Sequence, residues 1–66
     1  MEGKEMLTFR QAQGYAILAL NRMIEEGRTN KPQDELIREL DYTMFVISEE
    51  ISPEEAEQQG TDVINR

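Results

Sequence analysis

The segment between Leu36 and Ile51 predicts a helix that is apolar on two opposite sides, and this strongly limits how the chain can fold. At 100° per residue, one face collects aliphatic and methionine side chains within about 60° of one line. These are Leu36, Ile37, Leu40, Met44, Ile47 and Ile51. Tyr42, Phe45 and Val46 lie on the reverse face, more than about 120° from that line. A chain of 66 residues can hardly cover both faces, so the reverse face predicts a partner, most simply another copy of the chain.

The composition supports self-association, because other means of stabilising so small a core are missing. The sequence contains no cysteine and no histidine, which excludes disulfides, thiolate metal sites and the commonest zinc ligand. Small proteins without such features often gain stability by forming oligomers.

Helix signals divide the chain into three segments. Thr8 and Gln11 fit a capping box, and Gly27 suits the left-handed residue after a helix, so the first helix is predicted at about 8–26. Pro32 suits a first helical turn, which predicts a second helix at about 32–50. The run from Tyr42 to Ile47 also has the composition of a β-strand, but the 3.6-residue period favours the helix.

Ser52-Pro53-Glu54-Glu55 signals a short third helix at about 53–59, which Gly60 then interrupts. The short link between the two long helices predicts an antiparallel helical hairpin. The predicted fold is therefore all-α and a single domain over residues 1–66, with 1–6 and 60–66 loosely ordered. Two copies would form a dimeric helical bundle with twofold symmetry.

The first helix repeats the two-sided pattern in a weaker form. One stripe contains Phe9, Ala16, Ile17, Leu20, Met23 and Ile24, and we expect it to pack inside the hairpin. Gln13 lies within this stripe, where it would either fix the register of a symmetric interface or lie at the wet edge. The predicted oligomer interface consists of the reverse-face residues Tyr15, Leu18, Tyr42, Phe45 and Val46. The alternative is that these residues are scattered surface exposures.

The charge is acidic and unevenly distributed. Residues 1–31 carry five basic and four acidic groups, and residues 32–66 carry two basic and ten acidic groups, for a net charge of −7. This balance argues against direct nucleic-acid binding and permits a protein partner with a basic surface. The candidate acidic surface consists of Glu49, Glu50, Glu54, Glu55 and Glu57. It would bind such a partner, mimic nucleic acid, or serve only as a solvated face.

The sequence carries no pattern of residues that predicts catalysis. Ser-His-Asp and Cys-His sets require residue types that the chain lacks, and the four glycines are too dispersed for a phosphate-binding loop. A carboxylate-bridged metal pair normally includes a Glu-x-x-His motif. We therefore expect no enzyme activity, metal or cofactor.

Glu39-Leu40-Asp41 on the second of two helices resembles the signature of the small sporulation-regulating aspartyl-phosphate phosphatases, which are helical hairpins. Their motif has Ser-Gln before this tripeptide, whereas Ile37-Arg38 stands there in this chain. The resemblance covers three residues and implies a phosphatase-like regulator as a further class of function.

The sequence thus predicts a small acidic interaction or regulatory module that acts as a homo-oligomer, such as an adaptor, an inhibitor or a phage-type accessory protein. The alternative is an acidic mimic that blocks a nucleic-acid-binding protein. Neither a secretory signal nor a membrane-spanning run is apparent, so we expect a cytoplasmic protein that does not contact membranes.

Overall fold

The computed structural model describes residues 6–66, and this range forms three α-helices and no β-strand. They are α1 (Phe9–Glu25), α2 (Gln33–Glu50) and α3 (Pro53–Ile64). The all-α prediction is confirmed, and the segment 42–47 is helical. Residues 1–5, which were predicted to be loosely ordered, lie outside the described residues. No helix in 6–66 is long and apolar enough to cross a membrane.

The predicted helix-start signals are present as complete capping boxes in α1 and α3. The backbone N–H of Gln11 donates to Thr8 Oγ1 at 3.0 Å, and the backbone N–H of Thr8 donates to the side-chain Oε1 of Gln11 at 3.1 Å. Ser52 and Glu55 exchange the same two bonds at 3.2 and 3.4 Å. Each box satisfies amides that have no partner inside the helix, which explains why the sequence alone located both starts.

Gly27 ends α1 as predicted. Its φ of +70° lies in the left-handed region, which is costly for residues with a Cβ atom. The Gly27 amide donates to the Ile24 carbonyl, and the Arg28 amide donates to the Met23 carbonyl. These bonds close the last turn of the helix and turn the chain towards α2.

Helices α1 and α3 approach each other very closely at Gly14, Ala56 and Gly60. A Cβ atom added to Gly14 would lie 2.3 Å from the Ala56 carbonyl oxygen, and one added to Gly60 would lie 2.9 Å from Gly14 Cα. The prediction that α3 ends near residue 59 is wrong, because the helix continues to Ile64. Gly60 weakens the helix intrinsically but permits this close packing, in which both glycines are buried.

Helix α2 meets the middle of α1 through its own C-terminal half. The Tyr15 hydroxyl donates to the Ile51 carbonyl at 2.9 Å, and the Arg22 guanidinium contacts the Glu50 carboxylate at 2.8 and 3.3 Å. In an antiparallel hairpin with a short link, the end of α2 would instead lie beside the start of α1. The structure therefore confirms the three helices but not the hairpin, and the dimeric bundle remains a prediction.

The core lies where α1 contacts the other two helices, and it is small. Its buried apolar side chains are Tyr15, Ala19, Met23, Ile47 and Ala56. Four half-buried residues pack against it, namely Leu18, Leu40, Met44 and Ile51. Thr43 is buried as well, and its hydroxyl accepts a hydrogen bond from Arg28 Nη2 at 3.2 Å. Two of the five apolar core residues are alanines, so the core buries little apolar surface for a domain of this length.

Candidate interaction surface

Large apolar side chains remain exposed on the outside of all three helices and in the segment before α1. Those exposed within residues 6–66 are Met6, Leu7, Phe9, Leu20, Ile24, Ile37, Tyr42, Phe45 and Ile64. Scattered single exposures are ordinary, but contiguous apolar patches in a soluble protein often mark interaction sites. Helical geometry collects several of these side chains into two faces.

The first of these, the α2 aromatic face, consists of Tyr42, Phe45 and the half-buried Val46. Tyr42 is 64% exposed and Phe45 is 60% exposed. Three exposed charged residues, Arg38, Asp41 and Glu49, lie beside these aromatic rings on the outer side of α2, so the charged groups there are acidic on balance. The face therefore combines aromatic groups, which are enriched where proteins meet, with negative charge.

An apolar hollow of about 250 Å³ adjoins the aromatic face. Its lining is Leu7, Ala12, Tyr15, Asp41, Met44, Phe45 and Ser48. An apolar cavity of about 150 Å³ is already sufficient for a benzene-sized group, so this hollow could take a large side chain of a partner. Asp41 at the hollow would favour a partner that carries a basic group beside that side chain.

Tyr15 is not available to a second copy, because its side chain lies inside the subunit. It is only 4% exposed and belongs to the core cluster, and its hydroxyl is bonded to the Ile51 carbonyl. Burial and the nearby carboxylates of Glu54 and Glu55 raise the pKa of Tyr15. Leu18 is half-buried and packs against the same core. Of the residues assigned to the interface from sequence, Tyr42 and Phe45 are exposed and Val46 is half-buried.

The α1 apolar face consists of Phe9, Gln13, Ala16, Ile17, Leu20 and Ile24. Phe9 is 78% exposed, Ile24 58% and Leu20 46%. The sequence predicted that the stripe Phe9, Ala16, Ile17, Leu20, Met23 and Ile24 packs inside the hairpin, with Tyr15 and Leu18 on the reverse face. Met23 is buried as predicted, but Phe9, Leu20 and Ile24 are exposed and Tyr15 is buried. Gly14, on the inward side of α1, lies against the backbone of α3.

The α1 apolar face continues onto α3. Ile17 and the exposed Ile64 line one cavity of about 270 Å³ between the two helices. Arg10 and Glu57, at the same cavity, carry opposite charges. The border of the α1 apolar face thus carries one positive and one negative group, whereas the charged groups beside the α2 aromatic face are acidic on balance.

The predicted acidic residues do not all present free carboxylates to solvent. Glu50 forms a two-pronged ion pair with Arg22, and Glu55 completes the Ser52 capping box. The hydrogen bond from Arg22 lowers the pKa of Glu50. Glu57 is half-buried, whereas Glu49 and Glu54 are exposed. An acidic docking surface would therefore depend chiefly on Glu49 and Glu54.

Glu39, in the tripeptide that resembles the phosphatase signature, anchors the link between α1 and α2. Its carboxylate accepts hydrogen bonds from Lys31 at 3.1 Å and from Arg28. These bonds, led by the one from Lys31, lower the pKa of Glu39. Among residues 6–66, no cluster of acidic side chains is arranged to hold a metal ion. The contacts give Glu39 a structural role.

A further cavity of about 350 Å³ lies where the ends of the three helices approach one another. Its lining mixes charged groups of both signs, including Arg22, Glu50 and Asp62, with aliphatic residues such as Ile47 and Val63. Two of these charged residues, Arg22 and Glu50, are paired with each other at 2.8 Å.

The sequence contains a second signal, small residues on α3, which indicates close packing against another helix. The amphipathic pattern of α1 was the stronger signal and pointed to a different orientation. Ala56 and Gly60 are four residues apart and share a helix face, as small residues at a close helix crossing do. This pair marks α3 as a helix that another helix can approach closely, but it does not identify Gly14 as the residue that it contacts.

Comparison with known proteins adds no assignment: no protein-family model, curated protein or solved structure matches this chain.

Proposed function

We propose that this protein is a cytoplasmic interaction or regulatory module, an adaptor or an inhibitor, that binds another protein and acts as a homo-oligomer. The observation that carries the proposal is the exposure of the aromatic pair Tyr42 and Phe45 beside an apolar hollow. Aromatic side chains that can be buried at the centre of an interface contribute strongly to binding.

The negative charge around the aromatic face favours a partner with basic groups. Asp41 and Glu49 flank the aromatic side chains, and the chain carries a net charge of −7. Opposite charges across an interface speed association and disfavour partners of the same sign. The partner that fits best presents one large apolar side chain with lysine or arginine beside it.

The small core supports the homo-oligomeric part of the proposal. Only Tyr15, Met23 and Ile47 contribute large buried apolar side chains within residues 6–66. Burial of exposed apolar surface between copies would add to the stability of the folded subunit at concentrations where the copies associate.

The partner interface is tested with Phe45→Glu, Phe45→Leu and wild-type protein as bait in the native host, with bound proteins quantified. We expect Phe45→Glu to lose the partner and Phe45→Leu to retain part of the binding, because leucine keeps an apolar group at the hollow. The substitutions should leave the circular dichroism spectrum unchanged, since Phe45 is 60% exposed. Equal recovery of one partner by all three baits would contradict the proposal.

The second candidate function is an acidic mimic that blocks a nucleic-acid-binding protein. The exposed carboxylates of Glu49 and Glu54 and the net charge of −7 favour it. A Glu49→Gln/Glu54→Gln double variant separates the two functions, because it removes charge and leaves the aromatic side chains in place. A mimic should lose its partner in this variant and keep it in Phe45→Glu. The aromatic interface should lose its partner in Phe45→Glu and be only partly weakened by the loss of the Glu49 charge.

A further inference from the structure

We propose that the α1 apolar face binds the same face of a second copy of this chain. The inference rests on the homo-oligomeric part of the proposed function and names the surface that forms the oligomer. It differs from the sequence-based prediction, which assigned that role to Tyr42, Phe45 and Val46. The aromatic face of α2 is then left for the other partner.

The distribution of charge decides which face suits a second copy. Two chains of charge −7 repel each other, so self-association is easiest through a surface without negative groups. The six residues of the α1 apolar face are uncharged, and the two charged residues at its border with α3, Arg10 and Glu57, have opposite signs. In contrast, two α2 aromatic faces would bring Asp41 and Glu49 of both copies into one interface, with only one arginine per copy, Arg38, on the same face.

The spacing along α1 is that of a helix-to-helix seam. Phe9, Gln13, Ala16 and Leu20 follow one another at intervals of four, three and four residues, the alternation typical of packed helix pairs. The face from Phe9 to Ile24 is about 22 Å long at 1.5 Å per residue. Ala16 at its middle allows two such helices to approach closely.

Gln13 fits this arrangement as the one polar residue of the seam. It is exposed in the subunit, so its amide is hydrated there. In a dimer its amide can both donate and accept a hydrogen bond, which allows it to pair with polar groups of the second copy. Ile64 extends the apolar surface from the neighbouring helix and is itself 63% exposed.

The small area of the α1 apolar face limits the expected affinity of the dimer. A single helix face of roughly 22 Å by 10 Å buries less area than the standard protein interface, so the dimer belongs to the weak, reversible class. We expect monomer and dimer to exchange at concentrations of roughly 10–300 μM.

Sedimentation equilibrium over that range tests the inference with a matched pair of variants, Gln13→Glu and Gln33→Glu. Both add one negative charge by the same change, and both positions are exposed, so the fold should be retained. The mass of wild type and of Gln33→Glu should rise from 7.7 kDa towards twice that value. Gln13→Glu should raise the dissociation constant by roughly a hundredfold or more, because its carboxylate would be desolvated beside apolar side chains.

The outcomes separate this inference from the proposed function. Leu20→Glu, at a second exposed position of the α1 apolar face, should weaken the dimer in the same way as Gln13→Glu. Dimerisation that survives both variants but is lost in Phe45→Glu would overturn the inference and leave a homo-oligomer formed through the aromatic face. A wild-type chain that stays at 7.7 kDa throughout would overturn both the inference and the homo-oligomeric part of the proposed function. The Phe45-dependent partner interaction would stand in either case.

Discussion

Tyr15 connects α1 to the far end of the next helix, α2. Its ring lies in the core, and its hydroxyl donates a hydrogen bond to the carbonyl of Ile51, 36 residues later. That carbonyl belongs to the residue that ends α2, where backbone acceptors lack partners within the helix. A tyrosine suits this position because its ring packs in the apolar core while its hydroxyl donates a hydrogen bond to the carbonyl.

Two carboxylates on α2 make the stability of the fold depend on pH. Lys31 and Arg28 lower the pKa of Glu39, and Arg22 lowers the pKa of Glu50. Since an unfolded glutamate titrates near 4.5, both ion pairs contribute fully above that pH. Their contribution is lost as the pH falls through the lower pKa values of the folded state.

We therefore expect the melting temperature to fall progressively as the pH is lowered from about 5 to about 3. Thermal unfolding followed by circular dichroism measures this dependence. Glu50→Gln should reduce the stability at pH 7 and flatten its decline towards low pH, because Arg22 then loses its charged partner. Glu35→Gln, at an exposed position in the first turn of α2, is the control. A decline as steep in Glu50→Gln as in wild type would contradict the assignment.

At the scale of the helices, the contact between α1 and α3 depends on the absence of side chains. Gly14 faces the backbone of Ala56 and Glu57, and Gly60 faces Gly14 itself. Backbone atoms cannot move aside as the end of a flexible side chain can, so this contact has no room for a methyl group. The same contact determines which side of α1 faces inwards.

Gly14→Ala tests this close approach. In an exposed helix interior the change would stabilise the protein by roughly 0.5–1 kcal/mol. Here the new Cβ would lie 2.3 Å from the Ala56 carbonyl oxygen. We expect a net destabilisation of about 1–3 kcal/mol, as for overpacked cores, measured by urea unfolding.

Gly27→Ala serves as the comparison, because it adds the same methyl group where no atom lies within 4 Å. Its φ of +70° should still cost roughly 1 kcal/mol, but without separating α1 from α3. Gly14→Ala should therefore also weaken the hydrogen-exchange protection of α3, and Gly27→Ala should not. A Gly14→Ala protein more stable than wild type would contradict the close contact.

At the scale of the whole molecule, charge and apolar surface are distributed unequally. Residues 1–31, which include α1, carry a net charge of +1, and residues 32–66 carry −8. The exposed apolar side chains of α1 lie in the nearly neutral half, and Tyr42 and Phe45 lie in the acidic half. The proposed faces for a second copy and for a different partner thus differ in their electrostatic surroundings.

This difference predicts opposite responses to salt. Screening reduces the repulsion between two chains of net charge −7, so the homodimer should become tighter as sodium chloride rises from about 20 to about 500 mM. Binding of a basic partner at the aromatic face should become weaker over the same range. Sedimentation equilibrium measures the first response, and titration with the recovered partner measures the second. A homodimer that weakens with salt would contradict association through an uncharged face.

The sequence predicted the helix boundaries that depend only on residues close together in the chain. Thr8, Ser52 and Gly27 mark helix boundaries through hydrogen bonds and φ values that involve only their near neighbours. The exposure of Tyr42 and Phe45 was also readable, since they lie opposite the longer apolar stripe of α2. The buried position of Tyr15 was not readable, because it depends on a carbonyl 36 residues away.

The amino-acid sequence by itself determined that this chain is helical, where α1 and α3 begin, and that more apolar surface exists than one subunit can cover. These properties follow from short-range hydrogen bonding, from helical periodicity and from the ratio of surface to volume in a small chain. Only the tertiary structure decided that α3 continues through Gly60 and that α1 turns its longer apolar stripe outwards. The amphipathic pattern favoured burying Phe9, Leu20 and Ile24. Instead, Gly14 on the opposite side of α1 lies against the backbone of α3. The sequence did not predict this contact, because the 3.6-residue period of one helix does not record how closely another helix approaches it.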